Sequence, residues 1–245
     1  MLSQFDFKLL IMRVVLLDLD GTITQSHQGI IACAKKAMEE LNMPIPDDAE
    51  MRRFIGPSIL ESFQRNHMPE DLQDLGVQLY RKYYSQVPTF EDPNNSGKLI
   101  TGNFLNRLYD GIDEQLNILR ESGFYLAIAS CKPEYQIEPI AKRFGIDKMV
   151  DAIYGASRDM SRIKKAQVIR YAFENMKFEL NEDKALMVGD RWTDVDGAKE
   201  CGIDCLGCGW GYAEQNELHL HGAYRIINNV NELAHAVIEY FDECK

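Results

Sequence analysis

Basic residues are scarce: 27 Lys and Arg stand against 38 Asp and Glu, for a formal net charge of −11 and a pI near 5.0. That deficit argues against a dedicated duplex-DNA binder, whose affinity comes from neutralising phosphates. An anionic substrate stays admissible, because a few local cations and a metal can reverse the field at one site. Cysteine is also sparse. Thiols at 33, 131, 201, 205, 208 and 244 are too few and too scattered for a disulfide scaffold in 245 residues, and point to a reducing, cytoplasmic setting. The longest apolar stretch, Leu9 to Leu17, is interrupted by Arg13 and is too short to cross a membrane. The opening MLSQFDFKLL lacks the basic start, apolar run and small-residue cleavage site of an export signal. Met12 directly precedes the first strand-like run, so residues 1–11 read as a loose extension or a misplaced start. There is no internal repeat and no low-complexity tract.

What is present is ordinary for a globular chain: 45% hydrophobic and 27% charged residues, which excludes general disorder. The length fits one large α/β domain, or a core of about 150 residues with a smaller accessory domain. Short β-rich runs at Val14–Leu19, Tyr125–Ala129, Ala152–Tyr154, Ala185–Val188, Asp204–Gly207 and Tyr224–Ile227 alternate with helical patterns. The helices are expected at Ile112–Ser122, Glu134–Phe144, Ile163–Met176, Asp194–Cys201 and Asn231–Phe241. In the third of these, apolar residues at 163, 166, 169 and 173 share one face. The alternation predicts βαβ units and a parallel, doubly wound, Rossmann-like sheet. From Ser26 to about Leu99 the rhythm stops. Only helical pieces occur there, at Gly29–Leu41, Asp48–Phe54, Ile59–His67 and Asp71–Val87, which predicts an inserted all-helical domain. The expected division is a core of residues 1–24 and 100–245 with an insertion of 25–99. Asp20–Thr24 and the Asp92–Gly97 region are the expected hinges.

Two acidic constellations carry the chemistry. In Leu16-Leu17-Asp18-Leu19-Asp20-Gly21-Thr22 an acidic pair ends a buried apolar strand, which is costly unless a cation or hydrogen bonds compensate. Their i, i+2 spacing puts both carboxylates on one side of an extended chain, at the strand end where open α/β sheets place ligands. Turn-forming aspartates are the plainer alternative. The second constellation, Ala185-Leu186-Met187-Val188-Gly189-Asp190-Arg191-Trp192-Thr193-Asp194, repeats the arrangement. Asp194 could serve merely as a helix cap, whereas Asp190 sits at the strand tip. Four aspartates at two strand tips suit Mg²⁺, a hard cation that takes carboxylate oxygens. Ser130 follows the 125–129 strand and could donate its hydroxyl to a phosphate, beside the Cys131 and Lys132 N–H groups. Lys164 and Lys165 open the next helix; one suits a phosphoryl oxygen and the other a solvated helix face.

In this order, Asp18-x-Asp20-Gly21-Thr22, Ser130, Lys165 and Gly189-Asp190-x-x-x-Asp194 resemble the four motifs of the haloacid dehalogenase superfamily over essentially the whole chain. The helical insertion resembles the family's cap. Phe54-Ile55-Gly56-Pro57 and Lys165-Ala166-x-Val168-Ile169 resemble its phosphoglycolate phosphatase-like branch, which favours Lys165 over Lys164. The resemblance implies that Asp18 attacks phosphorus to form an aspartyl-phosphate. It implies that Asp20 acts as acid and then base. It further implies that Asp18, Asp190 and the Asp20 carbonyl hold Mg²⁺ with Asp194 in support, that Ser130 and Lys165 bind the phosphoryl group with Thr22 nearby, and that the cap closes over them. The substrate expected is a small phosphorylated metabolite, with neither nucleic acid nor membrane as partner. Phosphoglycolate, a nucleoside monophosphate, a sugar phosphate and pyrophosphate all remain open, and the oligomeric state is not legible. A sugar phosphomutase of the β-phosphoglucomutase kind is the rival enzyme. A phosphate-accepting receiver domain is the rival of another class, although receivers are far shorter.

This sequence departs from the family pattern in three places. Gln25 stands where many members have Asp, the stretch Pro88–Phe104 is long before Tyr109-Asp110-Gly111, and Trp192 is bulky in the fourth motif. Other residues take blander readings. Cys201, Cys205 and Cys208 read as packing thiols rather than a zinc site, and His219 and His221 as surface residues. Arg52, Arg53 and Arg65 either meet an anionic leaving group or are solvated, and the 231–241 helix covers the sheet.

Overall fold

The computed structural model describes residues 11–56, 58–159 and 161–243. The sequence expectations for residues 1–10, Pro57 and Cys244 therefore lie outside the described residues. Strand β1 (Arg13–Leu17) is flanked by β4 (Tyr125–Pro133) and β6 (Lys184–Gly189), and β5 (Ala152–Ala156), β7 (Asp204–Cys208) and β8 (Arg225–Ile227) complete a parallel sheet ordered β5-β4-β1-β6-β7-β8. The two-residue side-chain period of a strand splits β1 between two cores. Val15 and Leu17 face helices α5 (Ile112–Glu121), α6 (Glu134–Phe144) and α10 (Leu233–Glu243). Val14 and Leu16 face α7 (Lys165–Met176) and α8 (Trp192–Glu200), with the short α9 (Glu217–His221) on the same side. The chain runs from β1 outward through β4 and β5, then returns to β6 on the other flank of β1. Right-handed crossovers in opposite directions put their helices on opposite faces and open a crevice at the carboxyl end of β1.

Between β1 and α5 stand α1 (His27–Glu40), α2 (Asp48–Arg52), α3 (Ile59–Arg65) and α4 (Glu70–Ser85). They close on a core of their own around Met38, Met51, Phe54, Phe63, Tyr83 and Tyr84, so the insertion is a second packed body and not a long loop. Real capping starts two of its helices: Asp47 accepts from the Glu50 N–H, and Ser58 and Glu61 form a reciprocal box.

The structure corrects the strand-free expectation at the end of this block. β2 (Phe90–Asp92) and β3 (Asn95–Ile100) form an antiparallel hairpin. Asp92-Pro93-Asn94 is its turn, with the Asp92 carboxylate accepting from the Asn94 N–H at 3.0 Å, so those residues tie a hairpin rather than form a hinge. The two connections meet elsewhere: Thr24 bridges Leu108, and Gln25 pairs with Arg107 through its N–H and its side chain. Ile163 is also reassigned. It precedes α7 and is 46% exposed, because the helix starts at Lys165.

Leu116 is fully buried between α5 and the sheet. Leu116→Ala should lower unfolding stability by about 2–5 kcal/mol, read from the urea midpoint by circular dichroism.

Candidate active site

Every residue of the candidate site sits at the carboxyl end of the sheet or on a helix that begins there. Asp18 continues β1 by one residue, its N–H donating to the Val188 carbonyl at 2.9 Å. Asp190 follows β6 and Asp194 is the third residue of α8. One carboxylate oxygen from each of these three acids lies within 4.8 Å of the others, and the acids are 8%, 0% and 1% exposed. Lys165 reaches into the cluster from the first turn of α7. Its Nζ lies 2.7 Å from Asp18 Oδ1, from Asp194 Oδ1 and from the Ala129 carbonyl. Lys164 has no comparable contact and is exposed. Asp194 also serves the start of its own helix, since its Oδ2 accepts from the Arg191 N–H at 3.0 Å and so caps α8.

Close approach of backbone makes this density of charge possible. A Cβ on Gly21, where φ is +92°, would fall 2.1 Å from Asp190 Oδ2, and one on Gly189 would fall 2.3 Å from the Asp194 carboxyl carbon. Three buried carboxylates crowd together and one lysine pairs with two of them, Asp18 and Asp194, and the electrostatics follow. Burial, then repulsion from Asp194 and Asp18, pushes the Asp190 carboxyl well above its ordinary range. Asp194 is raised as well, by burial and by Asp18, against the pull of Lys165. Burial opposes the charge on Lys165, but Asp18 and Asp194 outweigh it and hold the ammonium protonated well above its ordinary range. The cluster is short of positive charge, and a divalent cation suits its all-oxygen donor set.

Asp20 points to the other wall. Its Oδ2 pairs with Lys132 Nζ at 2.8 Å, and its Oδ1 is buried without a hydrogen-bond partner. Lys132 Nζ also donates to the Tyr84 hydroxyl of α4 at 2.6 Å, so the lysine joins the sheet to the inserted helices. Ser130 lies in β4, which runs four residues past its expected end; its Oγ accepts from the Lys132 N–H at 3.3 Å. Thr22 turns its hydroxyl toward Asp190 Oδ1 at 3.4 Å.

Sequence reasoning missed three contributors. Lys132 entered it only through its N–H, although a side chain two residues beyond Ser130 on an extended strand returns to the same side. Tyr212, whose N–H donates to Asp190 Oδ2 at 2.7 Å, and Gly211, where a Cβ would lie 2.2 Å from that of Asp190, carry no local signal.

The model of the haloacid dehalogenase-like hydrolases matches residues 15–208. The chain belongs to that family. A 5'-nucleotidase of Pseudomonas aeruginosa is 33% identical over 208 residues, covering 84% of this chain and 87% of that one. Tyrosine-protein kinase PtkA of Mycobacterium tuberculosis is 34% identical over 200 residues, 82% of this chain; the match spans 63% of PtkA. Among solved structures, a "predicted phosphatase" from Clostridium acetobutylicum superimposes with a TM-score of 0.80 at 32% identity, covering 94% of this chain and all of that one. Curated phosphoglycolate phosphatases match as well, and the helical cap agrees with their branch of the family.

The remaining sequence candidates lie away from the acids. Cys205 and Cys208 pack on opposite faces of β7, and Cys201 joins the Cys205 side; burial raises both strand thiols. His221 pairs with Asp196 at 2.9 Å and stacks near Trp192, which is 43% exposed. Arg53 and Arg65 pair with Glu50, while Arg52 and His219 are exposed. Among the described residues no helix is long and apolar enough to cross a membrane.

The Asp190 shift sets a testable sign. A carboxyl whose folded value lies above the unfolded 3.8 adds stability that is full below 3.8 and declines as pH rises through the folded value. At neutral pH the metal-free fold therefore carries a penalty. Asp190→Asn should raise the melting temperature of metal-free protein and abolish the further rise that Mg²⁺ gives the unsubstituted protein, both read by calorimetry.

Proposed function

We propose that this chain is a Mg²⁺-dependent phosphatase that hydrolyses a small phosphomonoester through an aspartyl-phosphate on Asp18. The observation that carries the proposal is Lys165 Nζ held between Asp18 and Asp194 at the tip of β1, with Asp190 alongside. A carboxylate must approach a phosphate that is already anionic, and two like unit charges at 4 Å repel by roughly 4 kcal/mol at an effective dielectric of about 20. Lys165 offsets part of that repulsion, with the Ser130 hydroxyl as a further donor to the phosphoryl oxygens. Asp18, Asp190 and the Asp20 carbonyl would hold Mg²⁺, which supplies the remaining neutralisation when bound. Asp194 supports from behind, since its two oxygens already hold Lys165 and the Arg191 N–H. Thr22 sits close enough to Asp190 to steady that ligand or to meet the phosphoryl group.

An Asp18 oxygen attacks phosphorus, the bond to the leaving oxygen breaks, and Asp20 gives that oxygen a proton. Water then attacks the aspartyl-phosphate and passes a proton to Asp20, and phosphate departs. The Lys132 contact fixes Asp20 Oδ2 and leaves Oδ1 toward the leaving group. Residues 1–24 and 100–245 form the catalytic core in this proposal, and 25–99 the cap that excludes water. The leaving group meets Lys132, Tyr84 and the cap, so its chemistry sets the choice among phosphoglycolate, nucleoside monophosphates, sugar phosphates and pyrophosphate. The named activities of the relatives, 5'-nucleotidase and phosphoglycolate phosphatase, support hydrolysis over phosphate retention.

With p-nitrophenyl phosphate and Mg²⁺ the protein should turn over repeatedly, and Asp18→Asn should reduce kcat on the order of 10³-fold or more. One stoichiometric phosphorylation without turnover would refute a phosphatase. A panel of phosphorylated metabolites then ranks the leaving groups.

A further inference from the structure

Arg191 stands between the two acids of the fourth motif, and its two ends serve different bodies of the molecule. Its backbone N–H donates to Asp194 Oδ2, which caps α8. Its guanidinium crosses to the inserted helices, where Nη1 donates to the Ile55 carbonyl at 2.5 Å. We propose that Arg191 is a positioning residue, a clasp that fixes the 53–56 segment of the cap over the strand tips. This proposal takes the phosphatase reading as given for its kinetic consequences only.

Three observations converge on the clasp. The guanidinium is aimed by Glu217, whose Oε1 and Oε2 lie 2.8 and 3.4 Å from Nε and Nη2, a forked pairing that fixes orientation as well as charge. The Glu217 carboxylate is itself fixed, since it accepts from the Trp192 and Glu214 N–H groups at 2.8 and 3.0 Å. Arg191 and Glu217 side chains are only 14% and 9% exposed, so a guanidinium released from Ile55 could not simply be exchanged for bulk water. On the cap side, Gly56 has φ +105°, and a Cβ there would fall 2.3 Å from Arg191 Nη1. The glycine is required both by its backbone and by the cation against it. Ile55 is 2% exposed within the cap core, so the clasp grips a residue that the whole cap holds. Arg53 adds a weaker tie across the same seam, to Glu214 at 3.4 Å. Phe54-Ile55-Gly56 and Gly189-Asp190-Arg191 are thus two halves of one contact.

The test uses the full chain with Mg²⁺ and follows amide hydrogen exchange by mass spectrometry. Arg191→Ala should speed exchange in 53–56 by about tenfold or more, the scale of a lost charge-assisted hydrogen bond, while β1 and β6 keep their protection. Arg191→Lys should fall between, because an ammonium cannot satisfy Glu217 and Ile55 in one plane. Gly56→Ala breaks the contact from the cap side. It should speed exchange by a smaller factor in the Arg191→Ala background than alone, because the clash is then gone and only the backbone strain remains. With p-nitrophenyl phosphate, Arg191→Ala should lower kcat by about tenfold with little change in KM, since Ser130 and Lys165 are untouched. Unchanged exchange in 53–56, equal Gly56→Ala factors in both backgrounds, or loss of core protection in both single variants would each overturn the clasp. Failure of the unsubstituted protein to turn over phosphate esters would instead refute the phosphatase reading and leave the exchange results standing.

Discussion

A lysine buried among three carboxylates is the interaction on which the site depends. Lys165 contacts Asp18 and Asp194 at equal distances of 2.7 Å, and Asp190 completes the cluster with no cation of its own among the described residues. Such a group is poor at stabilising a fold, because desolvating four charges costs more than one lysine returns. Its presence at the end of the central strand means that the fold tolerates charge repulsion there, and burial with Asp194 and Asp18 nearby raises the Asp190 carboxyl. The stable parts lie away from this end, in the two apolar layers that sandwich the sheet.

The same constraint explains the glycines. Side chains at 21, 189 and 211 would occupy the volume of Asp190 or Asp194, so the acids are crowded by backbone and not by neighbours that could yield. A helix supplies each remaining element: α7 the lysine, α8 the second acid and a cap for its own first turn. The inserted helices add the opposite wall through Tyr84, tied to Lys132, and through Ile55, tied to Arg191. Core and cap are thereby joined through two largely buried cations, Lys132 and Arg191.

Much of this was legible beforehand. Alternation of apolar runs gave the parallel sheet and its helices to within a few residues, and acids following buried strands marked Asp18, Asp20 and Asp190. The errors have local causes. Asp92-Pro93-Asn94 has the composition of a flexible exit and of a tight turn alike, and only the antiparallel pairing of β2 with β3 distinguishes them. Ile163 fits the apolar period of α7 but precedes its first residue.

Periodicity and strand-tip acids, being properties of neighbouring residues, determined the fold class and the positions where chemistry occurs. The contacts by which Lys165 serves the acids, what Lys132 and Arg191 reach, and why Tyr212 lends its N–H to Asp190 were decided only by tertiary structure. Those contacts join residues from 22 to 147 positions apart. Their distances follow from how helices pack on a twisted sheet, and no local pattern encodes that geometry.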